Sequence, residues 1–220
     1  YLKENEFYSL KGINIEINVG EKIFVIGPSG SGKTTLFSIL ADKINIDKGI
    51  IKKSNNLFAS TLINLPPNLF PGLKLKNYIR TILSFTSRNQ KISSNKIVSE
   101  IIDLLKLSRE DLNRNFYEKD KSIYKLIVLA IACFENNKIY LFDNFNFKFK
   151  DEIFLNIWKS FKKNNQNKTQ IIFSCNNTDF IKLNADKVLV LDNGEIKKFD
   201  FIKNFSDEEL KNYINNNQDD

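Results

Sequence analysis

The sequence predicts an α/β fold in which a mainly parallel sheet alternates with helices. Residues 23–26 are apolar at every position, as expected for a strand buried on both faces of a sheet. A glycine-rich loop at 27–32 and a helical pattern from Thr34 to about Asp42 follow, in the order that begins a βαβ unit. Strand patterns return at 139–142 and 171–175, which favours a parallel sheet interrupted by an inserted segment.

The segment before the first buried strand has a different pattern. Residues 12–19 alternate strictly between polar and apolar side chains, which predicts a half-exposed, antiparallel strand. Gly20–Glu21 then predicts a turn, and Ile50–Ile51 and Leu62–Ile63 predict two further short strands.

A break in composition marks the inserted segment. Three prolines and a glycine lie between residues 66 and 72, where they interrupt regular structure. Apolar residues at 97, 101, 104 and 105 then follow helical spacing, with Ser94 as the candidate N-cap. We therefore predict one domain over 1–220, with its core at about 1–65 and 120–203, a helical subdomain at about 66–119, and a C-terminal helix and tail at about 204–220.

The last part of the chain returns to the core. An apolar helix is predicted from Ser122 to Phe134, followed by the strands at 139–142 and 171–175. The triplet 192–194, Asp-Asn-Gly, lies between apolar and alternating runs and predicts a hairpin. Ser206 and Glu209 form a candidate capping box for a last short helix.

Composition limits the possible classes of function. The chain has 220 residues and a formal net charge of +7, but its lysines are scattered among asparagines and isoleucines, so no nucleic-acid partner is expected. No apolar run approaches the roughly 20 residues that span a bilayer, and a soluble segment is expected. Because the sequence begins at Tyr1 and lacks methionine, we expect it to be part of a longer chain.

The cysteine and histidine content further restricts the possible catalytic and metal-binding sites. Cys133 and Cys175 both lie in apolar runs, which predicts two reduced core thiols. The chain has no histidine, which excludes a Ser-His or Cys-His catalytic pair and any histidine-ligated metal.

The loop after the first buried strand matches the Walker A pattern for binding nucleoside triphosphate. Glycines allow successive backbone N–H groups to point at phosphate oxygens, and the N-terminus of the following helix favours the same anion. Lys33 supplies a mobile positive charge for the β- and γ-phosphates, and the Thr34 hydroxyl is a candidate ligand of Mg²⁺. The predicted nucleotide-binding residues are Gly27, Pro28, Ser29, Gly30, Ser31, Gly32, Lys33, Thr34 and Thr35.

A carboxylate late in the chain supports this prediction. Asp143 directly follows four apolar strand residues, which is the Walker B arrangement for holding Mg²⁺. The predicted metal-binding residues are therefore Thr34 and Asp143, and the predicted ligands are ATP and Mg²⁺.

Three stretches around these motifs resemble one family. They are Ser9 to Ile17 with Gly20–Glu21–Lys22 before the loop, Leu69 to Ile79 after it, and Val188 to Ile196 near the end. In this combination the chain resembles the nucleotide-binding domain of ABC transporters almost from end to end. Small kinases with a phosphate loop share the Walker A motif but not the two later stretches.

The resemblance implies an architecture and partners. It implies a P-loop NTPase fold with a RecA-like core, an antiparallel β edge subdomain and an α-helical insert. It also implies head-to-tail pairing of two such domains around ATP, a transmembrane permease domain as partner, and a place on the cytoplasmic side of a membrane, either as a peripheral subunit or fused to a membrane protein. An upstream aromatic residue stacks on adenine in this family, and Tyr1 is the first candidate and Tyr8 the second; an ordinary exposed strand tyrosine is an equal alternative for each.

Several positions depart from the family pattern. Asn144 occupies the position of the catalytic glutamate, and Asn176 that of the switch histidine. Residues 119–123 lack both glycines of the signature motif, and the Q-loop glutamine position reads Leu65, or Asn64 in a register shifted by one. The usual Ser-Ala-Leu-Asp is also missing after Asn144. No catalytic residue is therefore predicted to be intact.

These departures predict a domain that holds ATP and hydrolyses it weakly. The first hypothesis is a transporter domain in which ATP binding and dimerisation act on a membrane partner. The alternative is an ABC-type pseudo-ATPase outside transport, which acts as a nucleotide-dependent scaffold or regulator. A third hypothesis, an ABC-type ATPase acting on nucleic acid or ribosomes, is supported only by the +7 charge.

Overall fold

A computed structural model describes residues 9–52, 60–62, 72–86, 94–115, 121–134, 139–145, 151–165 and 170–215. The chain forms two compact units. The first, called the sheet unit, comprises Tyr1–Leu62, Lys138–Asn146 and Asn167–Asp220, and the second, called the helical unit, comprises Ile63–Asn137 and Phe147–Gln166. We retain the division into core, helical insert and tail given above as a proposal.

The sheet unit confirms the predicted α/β class. Its described residues form a six-stranded sheet in the order β2-β3-β4-β1-β5-β6, parallel except for the antiparallel pair β5–β6. The strands are β1 (Lys22–Ile26), β2 (Ser60–Leu62), β3 (Ile139–Phe142), β4 (Gln170–Ser174), β5 (Lys187–Asp192) and β6 (Glu195–Phe201).

The described residues of the sheet unit form three α-helices, two of which begin at a side-chain cap. They are α1 (Lys33–Leu40), α7 (Thr178–Asn184) and α8 (Asp207–Asn215), numbered by their order in the whole chain. The Asn177 side chain accepts a hydrogen bond from the Phe180 N–H at the start of α7. The predicted capping role of Ser206 is confirmed, because its hydroxyl accepts from the Glu209 N–H over 3.1 Å.

The core of the sheet unit is rich in phenylalanine. Phe173 of β4 stacks on Phe24 of β1 with ring centroids 4.6 Å apart, and on Phe142 of β3 at 4.9 Å. Phe145, which follows β3, and Phe180, which lies on α7, complete the cluster, and their ring centroids are 5.8 Å apart. These rings join the three central parallel strands into one apolar layer.

Two predicted strands are wrong. Residues 12–19 form no strand, although burial does alternate along them and Ile13, Ile15 and Ile17 pack against the core. Ile50 and Ile51 also lie outside any strand, and both are exposed. Alternation and β-branched side chains report which face is buried, but a strand also needs a hydrogen-bonding partner in register.

The helical unit is built from α2 (Leu75–Thr86), α3 (Ser94–Leu104), α4 (Arg109–Asn113), α5 (Lys121–Ala132) and α6 (Glu152–Asn164). The helical spacing predicted from the apolar residues at 97–105 is confirmed by α3, where Val98 and Ile101 are buried together with Leu105 just after the helix. Ser108 and Asp111 form a complete capping box on α4, and Asp151 caps α6. The sequence patterns missed α2, α4, α6 and α7.

Both cysteines are buried free thiols, as predicted. Burial raises the pKa of Cys133 to about 12 and that of Cys175 to about 11. Neither thiol therefore forms the reactive thiolate near neutral pH. Among the described residues, no helix combines the length and apolar character that crossing a bilayer requires.

The phenylalanine cluster leads to a stability prediction. Phe173→Ala removes a fully buried ring that contacts four other phenylalanine rings, and we expect it to lower the free energy of unfolding by about 3–5 kcal/mol. The matched control is Leu183→Ala, because Leu183 is 82% exposed, and its effect should stay within about 0.5 kcal/mol. Urea unfolding measures both, and equal effects would contradict the assigned core.

Candidate nucleotide-binding site

The phosphate loop connects β1 directly to α1. Strand β1 ends at Ile26 and α1 begins at Lys33, so six residues make the turn. Gly27, Gly30 and Gly32 all have positive φ angles, of 143°, 76° and 99°. These conformations are easily reached only by glycine, which explains the glycine spacing of the loop.

Glycine is required at Gly27 and Gly32 for space as well as conformation. A Cβ at Gly27 would lie 1.9 Å from the Leu191 carbonyl oxygen, and one at Gly32 would lie 2.8 Å from the Ser9 carbonyl oxygen. Both distances are below contact distance, and a Cβ at Gly32 would also meet Leu10 Cδ2 at 2.6 Å. The loop therefore packs against backbone at Gly27, and against backbone and the Leu10 side chain at Gly32.

Lys33 lies folded over the loop. Its ammonium donates to the carbonyl oxygens of Gly27 at 2.7 Å and Pro28 at 2.6 Å, and to the Ser31 hydroxyl at 3.2 Å. Burial lowers the pKa of Lys33 from its ordinary value, and the charge of Asp143 opposes this shift. The loop thus holds a partly desolvated cation over its own backbone. A bound anion interacts more strongly with such a cation than with a fully hydrated one.

Thr34 and Asp143, the two predicted metal-binding residues, are in direct contact. The Thr34 hydroxyl donates to Asp143 Oδ2 over 2.8 Å, although 109 positions separate them in the chain. Asp143 follows β3 and the loop follows β1, and parallel strands present their carboxyl ends at the same edge of the sheet. Two hard oxygen donors therefore lie together beside the phosphate loop.

Asn144 has an unusual backbone conformation. Its φ angle is 52°, in the left-handed region, and the residue is exposed. The next residue, Phe145, turns back and donates its N–H to the Ser174 carbonyl oxygen over 2.6 Å. The chain therefore leaves β3 through a tight turn that Asn tolerates better than most residues.

Asn176 lies at the carboxyl end of β4, which runs between β1 and β3. It is exposed, whereas Cys175 before it is buried and its sulfur accepts from the Asn177 N–H. Position 176 is thus at the same sheet edge as the phosphate loop and Asp143. A neutral amide there has no titration near neutral pH and cannot act as an acid or base.

The remaining predicted site residues divide into two groups. Pro28, Ser29 and Thr35 belong to the loop and the first turn of α1, with Thr35 half-buried. Tyr1, Tyr8, Asn64 and Leu65 lie outside the described residues, as do the first two positions of 119–123. Ile123, the last of these, lies on α5 in the helical unit.

One contact of the site was missed by sequence reasoning. The hairpin turn between β5 and β6 touches the phosphate loop, because the Gly194 N–H donates to the Ser31 carbonyl oxygen over 3.1 Å. The Asn-Gly pair signals the turn, but nothing in the local pattern signals its contact with residues more than 160 positions earlier.

The loop, the strand order and the paired Thr34 and Asp143 define a protein of the P-loop nucleoside triphosphate-binding class. The ABC transporter family model matches residues 10–145. The chain therefore belongs to the ABC transporter family, as a nucleotide-binding domain, and the predicted fold class and family are confirmed. Membership in this family implies ATP binding.

Proteins with similar sequences agree with this family assignment. The chain is 28% identical to an ABC transporter ATP-binding protein of Clostridium acetobutylicum, with 89% of this chain and 74% of the relative covered. It is 29% identical to the teichoic acids export ATP-binding protein TagH of Shouchella clausii, with 97% and 58% covered. It is 26% identical to the energy-coupling factor transporter ATP-binding protein EcfA1 of Mycoplasma mycoides, with 86% and 48% covered. The chain thus spans less than two thirds of the length of the latter two.

Solved structures support the fold. A dimeric ATP-binding cassette in a post-hydrolysis state, bound to ADP and Pi, matches with a TM-score of 0.70 at 22% identity, over 92% of this chain and 95% of that one. An ATP-binding subunit of an ABC transporter matches with a TM-score of 0.73 at 18% identity, over 98% of this chain and 95% of that one.

The left-handed conformation of Asn144 predicts an order of stability between two variants. Gly and Ala both remove the side chain, but Ala is disfavoured at a φ of 52° by about 1 kcal/mol or more. We therefore expect Asn144→Gly to be the more stable by about 1 kcal/mol in urea unfolding. In an ordinary backbone conformation the order reverses, so a more stable Asn144→Ala would contradict the geometry of this turn.

Proposed function

We propose that this chain is the ATP-binding domain of an ABC transporter that couples binding of ATP with Mg²⁺, and dimerisation, to a membrane partner, and that it hydrolyses ATP weakly. The observation that carries the proposal is the arrangement of Lys33, Thr34 and Asp143 at one sheet edge beside the phosphate loop. The nucleotide-binding and metal-binding roles assigned from the sequence stand here as part of the proposal.

The phosphate-binding role follows from exchange of partners at Lys33. Its ammonium is satisfied by two loop carbonyls and a hydroxyl, all neutral acceptors. Phosphate oxygens are charged acceptors and form stronger hydrogen bonds with an ammonium. Entry of the triphosphate therefore gains energy at a cation that is already in place.

The donor set at Thr34 and Asp143 fits Mg²⁺. The ion prefers hard oxygen ligands in octahedral geometry, in which neighbouring ligands lie about 3 Å apart. The two oxygens are 2.8 Å apart, which suits either direct ligation or ligation through water. When bound, Mg²⁺ neutralises charge on the phosphates, while the carboxylate and the hydroxyl orient it.

Weak hydrolysis follows from the side chains at 144 and 176. An attacking water needs a base, and removal of a general base typically costs on the order of 10²–10⁴ in rate. Asn144 and Asn176 offer amides at the two positions where the family carries a glutamate and a histidine. Residues 119–123 also lack the signature glycines that contact the partner's nucleotide.

The partners are proposed from the named relatives. A solved cassette of the same fold is dimeric, which supports pairing of this domain with a second nucleotide-binding domain, of the same or another chain. The relatives are named for export and energy-coupling transporters, which supports a transmembrane permease domain as the second partner. Such an assembly places this domain at the cytoplasmic face of a membrane.

Binding of ATP is the first test of the proposal. With Mg²⁺ present, we expect affinity in the micromolar range, equivalent to about −8 kcal/mol. Lys33→Ala removes the loop cation and should weaken binding by roughly 100-fold or more. Lys43→Ala is the matched control, because Lys43 is an exposed lysine shortly after the same helix, and it should bind as the unmodified protein does. Titration with a labelled ATP measures all three, and absence of binding by the unmodified protein would refute the proposal.

Turnover is the second test. We expect negligible hydrolysis by the unmodified protein, and Asn144→Glu should stay within about tenfold of it, because cooperating groups at 176 and 119–123 are also missing and their effects are not additive. Asn144→Gln is the control for side-chain length without charge. Release of phosphate under single- and multiple-turnover conditions gives the rates. Brisk hydrolysis by the unmodified protein would contradict weak catalysis, and a gain of 10² or more from glutamate would show that position 144 alone limits the rate.

The non-transport alternative is favoured by the same replacements at 144, 176 and 119–123, since a scaffold or regulator needs no turnover. The two functions differ in their partner. Apolar runs of roughly 20 residues, in the full-length chain or in the adjoining gene, support transport. Their absence from both would favour the scaffold or regulator.

A further inference from the structure

One hairpin supports both ends of the phosphate loop. Strands β5 and β6 turn at Asn193 and Gly194, whose φ angles of 49° and 74° suit a two-residue type I′ hairpin. Along β5, the Leu191 carbonyl lies against Gly27, where the loop begins. At the turn, the Gly194 N–H donates to the Ser31 carbonyl oxygen over 3.1 Å, near where the loop ends.

The segment before β1 is held between the loop and this hairpin. The Lys11 N–H donates to the Gly194 carbonyl oxygen over 2.8 Å. A Cβ at Gly194 would lie 2.6 Å from the Ser9 carbonyl oxygen, and a Cβ at Gly32 would lie 2.8 Å from the same atom. The Ser9 carbonyl thus fills the space between two glycines that are remote in sequence.

Packing of this kind couples the positions of the three backbone segments. Each close approach at Gly194 involves backbone atoms, which cannot change rotamer to make room. A side chain at Gly194 must therefore displace Ser9, whose carbonyl also lies against Gly32, or the hairpin turn, whose Gly194 N–H is bonded to Ser31. Because Ser31 is 2% exposed and precedes Gly32 and Lys33, a shift there changes the direction of the N–H groups that begin α1.

We propose that Gly194 is a positioning residue for the phosphate loop. Its missing side chain admits the Ser9 carbonyl, and its N–H fixes the Ser31 carbonyl, so that the loop is already set for triphosphate before binding. The effect on affinity rests on the ATP binding proposed above, whereas the effect on the loop itself does not. The competing explanation is that glycine serves only the hairpin turn.

Two asparagine variants separate these explanations. Asparagine tolerates a left-handed φ, so Gly194→Asn keeps the turn conformation but introduces the Cβ that meets Ser9. Gly72→Asn is the matched control, because Gly72 has a similar φ of 83° and no atom within 4 Å of the added Cβ. If glycine served only the turn, both variants would behave as the unmodified protein does.

Hydrogen exchange in nucleotide-free protein is the first readout. We expect the amides of Gly27 and of residues 29–34 to exchange at least about tenfold faster in Gly194→Asn than in the unmodified protein or in Gly72→Asn, because the loop loses its support. Amides of α7 and α8 should exchange at the same rate in all three proteins. The second readout is titration with ATP and Mg²⁺, where Gly194→Asn should bind at least about tenfold more weakly.

Three results would overturn the positioning role. They are unchanged exchange at 27–34 in Gly194→Asn, equal effects of the two asparagine variants, and faster exchange in α7 and α8 as much as in the loop, which would make the hairpin a folding element. If the unmodified protein does not bind ATP, the proposed function fails, and the exchange measurement still decides the role of Gly194.

Discussion

The close approach of β1 and β5 at the start of the phosphate loop is the constraint on which the site depends. The parallel register pairs Ile26 with Val190, which brings Gly27 beside Leu191. A Cβ there would lie 1.9 Å from a carbonyl oxygen, so only glycine allows both strands to keep this register to their ends. The direction of the chain at this point sets the loop, the first turn of α1 and the place of Lys33.

Features that depend on a motif of consecutive residues could be predicted from the sequence. The phosphate loop, strand β3 with Asp143 and the Asn-Gly hairpin each have a local signal, and the structure contains all three. The predicted strand over 12–19 failed because its alternation reflects burial of Ile13, Ile15 and Ile17 on the core, without a ladder of hydrogen bonds. Local patterns record which face is buried, and pairing depends on a second segment.

Contacts between distant segments could not be predicted in the same way. The sequence assigned Thr34 and Asp143 to one Mg²⁺ through the Walker A and Walker B patterns, and their 2.8 Å contact arises because parallel strands share a carboxyl edge. The contact of Gly194 with Ser31 depends on the register of β5 against β1 and on a bulge between Val190 and Leu191, neither of which has a signal in single residues. Backbone contacts of this kind do not change the pattern of polar and apolar side chains. Their only signal in the sequence is a glycine at the point of close approach.

The left-handed turn at Asn144 restricts which side chains suit the position after Asp143. Because the chain leaves β3 through a φ of 52°, this position accepts Asn or Gly more readily than other residues. Glutamate at position 144 meets an opposing backbone preference. Any redesign that places a carboxylate there must therefore offset a conformational cost in the turn itself before the new group can contribute to chemistry.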